Sequence, residues 1–186
     1  MRRPSPFPKR PSGARALGVA AALGSVAALG IAVSPASGSP ASGSAVTAST
    51  PACRSAGLVT WLDTSPNGTA GTIYYTLNFT NLSGSTCTLR GYPGVSAINL
   101  KGRQLGRAAT RNTGTKVRTI TLRNGRTASA YLGIVEAGNF PSSSCRPVTA
   151  AGLKVFAPNQ AAGKTVPFPF PACSGSPAYL RIEAVK

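Results

Sequence analysis

Ten residues near the middle of the chain, Thr72–Asn81 (TIYYTLNFTN), constrain its fold more than any other stretch. Ile73, Tyr75, Leu77 and Phe79 fall on one side of an extended backbone, and Tyr74, Thr76, Asn78 and Thr80 on the other. A period of two, apolar against polar, is what a strand with one buried and one wet face produces. Leu58–Leu62, Thr86–Leu89, Val95–Leu100, Val117–Leu122, Thr127–Val135, Leu153–Ala157 and Tyr179–Ala184 read as further strands. Ser65-Pro66-Asn67-Gly68 predicts a turn after the first of them, and Gly91-Tyr92-Pro93-Gly94 separates two others. Asn124-Gly125 lies between Val117–Leu122 and Thr127–Val135, where that dipeptide predicts a tight hairpin. No stretch after residue 50 sustains a helical period. Short strands at roughly even spacing predict an all-β sandwich, and 186 residues suffice for one such domain.

The first fifty residues have another character. Residues 1–15 are basic and contain no acid, and Ala16–Val33 follow as an uncharged, mostly apolar run. That order predicts a secretory signal over residues 1–36, with a small-x-small cleavage site after Ala36. A retained anchor is the rival, but the run is at the lower limit for a membrane span and rich in Ala and Gly. Either way the positive flank stays inside and the domain is exported. Cys53 lies too far beyond the apolar run for a lipoprotein site, and the prolines in MRRPSPF weaken a twin-arginine reading of Arg2-Arg3. Residues 37–52, rich in Ser, Pro, Ala and Gly, read as a linker, leaving 53–186 for the sandwich.

The four cysteines, Cys53, Cys87, Cys145 and Cys173, all follow the signal, and export to an oxidising compartment makes them two disulfides. Three connectivities are open. Cys53–Cys87 with Cys145–Cys173 is favoured because each closes a local loop of moderate length, for about 3–4 kcal/mol each. A zinc site lacks both C-x-x-C spacing and histidine.

Composition also excludes much chemistry. With no histidine, Ser-His-Asp catalysis is out of reach, and the three acids, Asp63, Glu136 and Glu183, show no paired spacing. No S-x-x-K motif is present. The expectation is a non-enzyme without cofactor or metal. Against those three acids stand 20 Lys and Arg. Five of these (Arg2, Arg3, Lys9, Arg10 and Arg15) belong to the leader, leaving 15 against 3, a net +12. Lys101, Arg103, Arg107, Arg111, Lys116, Arg118, Arg123 and Arg126 form a run with no acid between them, a candidate anion-binding surface. Lys116 and Arg118 share a face by parity. Outside a cell the matching partners are anionic cell-wall polymer or lipid headgroups. Nucleic acid is disfavoured by location and by the lack of an interleaved aromatic platform.

The run Asn81-Leu82-Ser83-Gly84-Ser85-Thr86-Cys87-Thr88-Leu89-Arg90-Gly91-Tyr92-Pro93-Gly94-Val95 resembles the signature of the domain of unknown function 4232 family. The resemblance extends from Cys53 to about Val185 and takes in Gly102, Leu105-Gly106, the Asn124-Gly125-Arg126-Thr127-Ala128 turn, Cys145, the Pro158 segment and Cys173. It implies an immunoglobulin-like β-sandwich and a secreted or cell-surface place, and implies no activity.

Thr165–Pro171 (TVPFPFP) puts Phe168 and Phe170 on similar sides of an extended path. The segment either covers a sheet edge with its rings inward or offers a patch to another surface protein. Asn67, Asn78 and Asn81 each head a glycosylation sequon. These readings give a monomeric, exported, non-catalytic surface module that binds anionic polymer or lipid through its basic face. The alternative is a secreted protein-interaction domain using a sheet edge or Phe168 and Phe170.

Overall fold

A computed structural model of the chain describes residues 49–186; the expected signal, 1–36, and residues 37–48 of the expected linker lie outside the described residues. The strands are β1 (Leu58–Thr69), β2 (Thr72–Asn81), β3 (Cys87–Arg90), β4 (Gly94–Ile98), β5 (Gln104–Leu105), β6 (Thr110–Arg111), β7 (Thr119–Leu122), β8 (Thr127–Val135), β9 (Pro147–Phe156), β10 (Gly163–Cys173) and β11 (Leu180–Ile182). One helical turn, Ser142–Cys145, and two short 3-10 turns, Ser55–Gly57 and Ala137–Asn139, join them.

The alternation of Thr72–Asn81 is resolved by two sheets. One runs β1-β2-β8-β11-β6 and the other β10-β9-β4-β5, while β3 pairs with β7 in a small third sheet. Among the described ladders only β11 with β6 is parallel. Leu77 and Phe79 are fully buried, opposite Ala130 and Ala128 of β8. Val95 and Ala97 of β4 and Leu153 and Val155 of β9 close the same core from the other sheet. Each buried Leu or Phe stabilises by roughly 1.5–3 kcal/mol, so the inner faces hold the layers together. This is the all-β sandwich that the period of two predicts.

Both cysteine pairs join as the loop lengths favoured, Cys53 with Cys87 and Cys145 with Cys173. The first draws in residues assigned to the linker. Pro51 accepts a hydrogen bond from Thr88 N–H, and Cys53 N–H donates to Thr88 O, so the ordered domain begins slightly before Cys53.

Two turns fall elsewhere than expected. Ser65-Pro66-Asn67-Gly68 lies inside β1, where the register with β2 slips between Asp63 and Asn67. Pro66 has no N–H for the ladder, and Asp63 Oδ1 accepts from Ser65 N–H at 3.0 Å, so the strand bulges and then resumes. The reversal comes at Ala70-Gly71, with Gly71 at φ +79°. Asn124-Gly125 does make a turn, closed by Arg126 N–H to Arg123 O at 3.1 Å, but it makes no hairpin. β7 pairs with β3 and β8 with β2, so the turn carries the chain from one sheet to another.

Asn81 explains that crossing. Its side chain is fully buried and uses its whole bonding capacity. Nδ2 donates to Ser85 O (2.8 Å) and Leu122 O (2.9 Å), while Oδ1 accepts from Ser83 N–H (3.0 Å) and Ser83 Oγ (2.8 Å). Its backbone takes the Asn124-Gly125 turn as well, accepting from Gly125 N–H and donating to Arg126 O. Gly84 N–H donates to Asn124 Oδ1 at 2.9 Å. Asn81 thus ties the end of β7 and the turn together in place of direct β7–β8 pairing.

Candidate functional site

The three carboxylates lie apart. Asp63 sits in the β1 bulge, where the backbone N–H and then the hydroxyl of Ser65 hold its carboxyl below the usual range. Glu183 faces Lys186 at 3.8 Å and accepts from Asn112. Glu136 follows β8 at the mouth of an apolar cavity. Among the described residues no three His, Cys, Asp or Glu side chains gather as metal ligands would.

The eight basic residues divide. Lys101 and Arg103 occupy the β4–β5 turn, whose shape is set by Asn99 Oδ1 accepting from both backbone N–H groups, and Arg107 follows β5. Arg111 belongs to β6, with its guanidinium 5.5 Å from the centre of the Tyr92 ring. It lines a polar groove with Tyr74, Tyr131, Arg181 and Glu183, on the outer face of the five-stranded sheet.

The other four come together. Lys116 and Arg118 line one shallow concavity, of about 380 Å³, and Arg123 and Arg126 line a second, of about 410 Å³. The two share Ile120 and Lys186, so they adjoin. Lys116 and Arg118 do line one concavity, but β7 starts only at Thr119, so strand parity is not what brings them there. Arg123 and Arg126 are held by the turn that Asn81 anchors. All four cations are exposed, and no Asp or Glu side chain lines either concavity. Four exposed cations on two adjoining concavities make this part of the surface strongly positive.

Lys186 is the member of this surface that the basic run did not include. Its backbone pairs with Ser129 of β8, a long-range register with no local signal. Its ammonium lies 3.4 Å from the centre of the Tyr131 ring and near Glu183, so its charge is partly neutralised.

Phe168 and Phe170 turn inward. Their rings stack at 5.5 Å, Phe168 meets Tyr75 edge-on at 4.8 Å, and Phe170 is 7% exposed. Pro167, Pro169 and Pro171 take the exposed positions of β10, an edge strand with a partner on one side only. Of the sequon asparagines, Asn67 is exposed, whereas Asn78 and Asn81 are buried and hydrogen-bonded.

All four cysteines are buried, and two disulfides point to an extracellular, oxidising setting. No helix among the described residues is long and apolar enough to cross a membrane. A family model described as Domain of unknown function (DUF4232) matches residues 53–185. No curated protein and no solved structure matches the chain.

Proposed function

Because the chain belongs to the family of that domain of unknown function, whose description assigns no activity, its role has to come from its surface, and we propose an exported, non-catalytic module that holds anionic phosphate polymer or lipid headgroups at the cell surface. The observation that carries this reading is the pair of adjoining concavities lined by Lys116, Arg118, Arg123 and Arg126 with no Asp or Glu side chain in the lining. Each cation close to an anionic surface contributes about 1 kcal/mol, so the four together supply up to about 4 kcal/mol. The chain's net charge adds longer-range attraction that salt screens, because the Debye length falls from about 10 Å at 0.1 M to about 3 Å at 1 M.

Co-sedimentation tests it with phosphatidylglycerol vesicles in one arm and a poly(glycerol phosphate) chain in the other, which separates lipid from polymer as the source of phosphate. Binding at 50 mM salt should fade steeply by 500 mM. Arg123→Glu with Arg126→Glu should abolish it, whereas Lys101→Glu with Arg103→Glu, the same change of charge on the β4–β5 turn, should leave most of it. No binding to either material at low salt, or equal loss from both double variants, would sink the proposal.

A further inference from the structure

The inward set of β2 has two halves. Leu77 and Phe79 are sealed in the core, but Ile73 and Tyr75, on the same side by parity, are only partly buried. The facing strand is β10, whose register with β9 slips between Pro167 and Phe170. Between the two lies a cavity of about 330 Å³ walled by Ile73, Tyr75, Ile134, Ala137, Phe170 and Pro171. Such a volume lies at the lower end of the range for small-molecule sites. Its rim is fixed in place: Glu136 N–H donates to Gly71 O at 2.9 Å, and Asn139 Nδ2 donates to the same oxygen at 2.9 Å.

One charged group stands at this mouth, Glu136. Asp63 is bonded to Ser65 and Glu183 to Lys186 and Asn112, but Glu136 makes no salt bridge or side-chain hydrogen bond among the described residues. On a domain with 15 basic residues, the one carboxylate left unpaired faces an apolar cavity containing aromatic rings. An anionic ligand is disfavoured there by that charge, and an uncharged apolar ligand leaves it unused. A cation with an apolar body satisfies both parts: the body fills the space between Ile73, Ile134 and Phe170, and the ammonium lies between Glu136 and the Tyr75 ring.

We infer that this cavity is a binding site for a small aryl- or alkylammonium compound, separate from the polyanion surface and independent of it. The test uses the full chain and three probes of nearly one shape: phenethylammonium, 2-phenylethanol and 3-phenylpropionate. Amide chemical shifts at Ile73, Ile134, Ala137 and Gly138 report occupancy. Phenethylammonium should bind about five-fold more tightly than the alcohol, the size expected of an accessible cation–carboxylate and cation–π contact, with the carboxylate weakest. Glu136→Gln should remove most of the ammonium's advantage, leaving the part that the Tyr75 ring supplies, without changing the alcohol, and Ile73→Trp, which fills the cavity, should remove both. Equal affinity of the ammonium and alcohol for the unaltered chain, tighter binding of the carboxylate, or no shifts at these amides with any probe each overturns the inference. Glu136 is exposed, so its substitution tests the idea even if Ile73→Trp fails to fold.

Discussion

Replacing Asn81 by alanine removes four hydrogen bonds at once and leaves three backbone groups without the partner they had. Leu122 O lies in a buried contact, and an unsatisfied buried carbonyl costs about 1–3 kcal/mol. Ser85 O and Ser83 N–H lie nearer solvent, where each lost bond costs about 0.5–1.5 kcal/mol. Together the change should destabilise the domain by about 3–5 kcal/mol. With a urea slope of about 2 kcal/mol/M, the unfolding midpoint should fall by about 2 M at unchanged slope. Asn81→Asp preserves the shape but not the donors, so two carbonyls would face a carboxylate. The folded-state pKa of that introduced carboxyl is therefore raised above its unfolded value. Its relative stability is retained below the unfolded value, near 4, and lost as pH rises through the folded one. Urea melts of both variants at pH 3.5 and pH 7 separate the effects: the alanine deficit should be nearly the same at both, and the aspartate deficit should grow toward pH 7. A loss below about 1 kcal/mol for Asn81→Ala would refute the view that this side chain holds β3, β7 and the Asn124-Gly125 turn together.

Other perturbations act at separate places. Removing Cys145–Cys173 by a double alanine substitution frees a loop with a sequence separation of 28 and should cost about 3.5 kcal/mol; calorimetry measures it, and non-reducing peptide mapping should show the Cys53–Cys87 bridge intact. Tyr179 is fully buried and donates to Leu105 O at 3.3 Å, and its burial pushes the hydroxyl up to about 12. A raised folded-state value means that its contribution is complete below pH 10 and lost as pH climbs through 12. Tyr179→Phe should delete the late step in the alkaline absorbance titration and cost about 1 kcal/mol at neutral pH. Gly175→Ala would put a methyl against the Ser144 carbonyl beside the Cys145–Cys173 bridge, where only backbone could give way. Thermal melts should show a loss of more than about 2 kcal/mol, whereas Gly138→Ala, with open space around it, should show almost none.

Strands buried on one face were legible because their period survives in the residues themselves: β2 and β8 have the limits that the alternation predicts. Partner choice was not legible in that way. Ser65-Pro66-Asn67-Gly68 and Asn124-Gly125 carry ordinary turn chemistry, but the same residues also make a bulge or a crossing between sheets. Which one forms depends on Asn81 and on registers set by distant strands. The β10 prolines were informative because a missing N–H restricts a strand to an edge whatever surrounds it. The candidate site was half legible. Lys116, Arg118, Arg123 and Arg126 are near in sequence and near in space, whereas Lys101, Arg103, Arg107 and Arg111 go elsewhere with β4, β5 and β6. The apolar cavity left no sequence signal. Ile73 and Tyr75 have the same parity as Leu77 and Phe79, and only the course of β10 leaves them uncovered.

The Asn124-Gly125 turn also bears on how long the molecule lasts. Asn-Gly is the dipeptide most open to deamidation, because the glycine amide nitrogen can attack the asparagine side chain and close a succinimide ring. Here that nitrogen is tied to Asn81 O at 2.7 Å, and the Asn124 side chain is held by Gly84 N–H, so neither reacting group is free to approach the other. The contacts that carry the chain between sheets therefore protect this Asn-Gly pair from ageing, unlike the exposed Asn67-Gly68 of the β1 bulge. Any loosening of Asn81 would set that chemical clock running long before the domain unfolds.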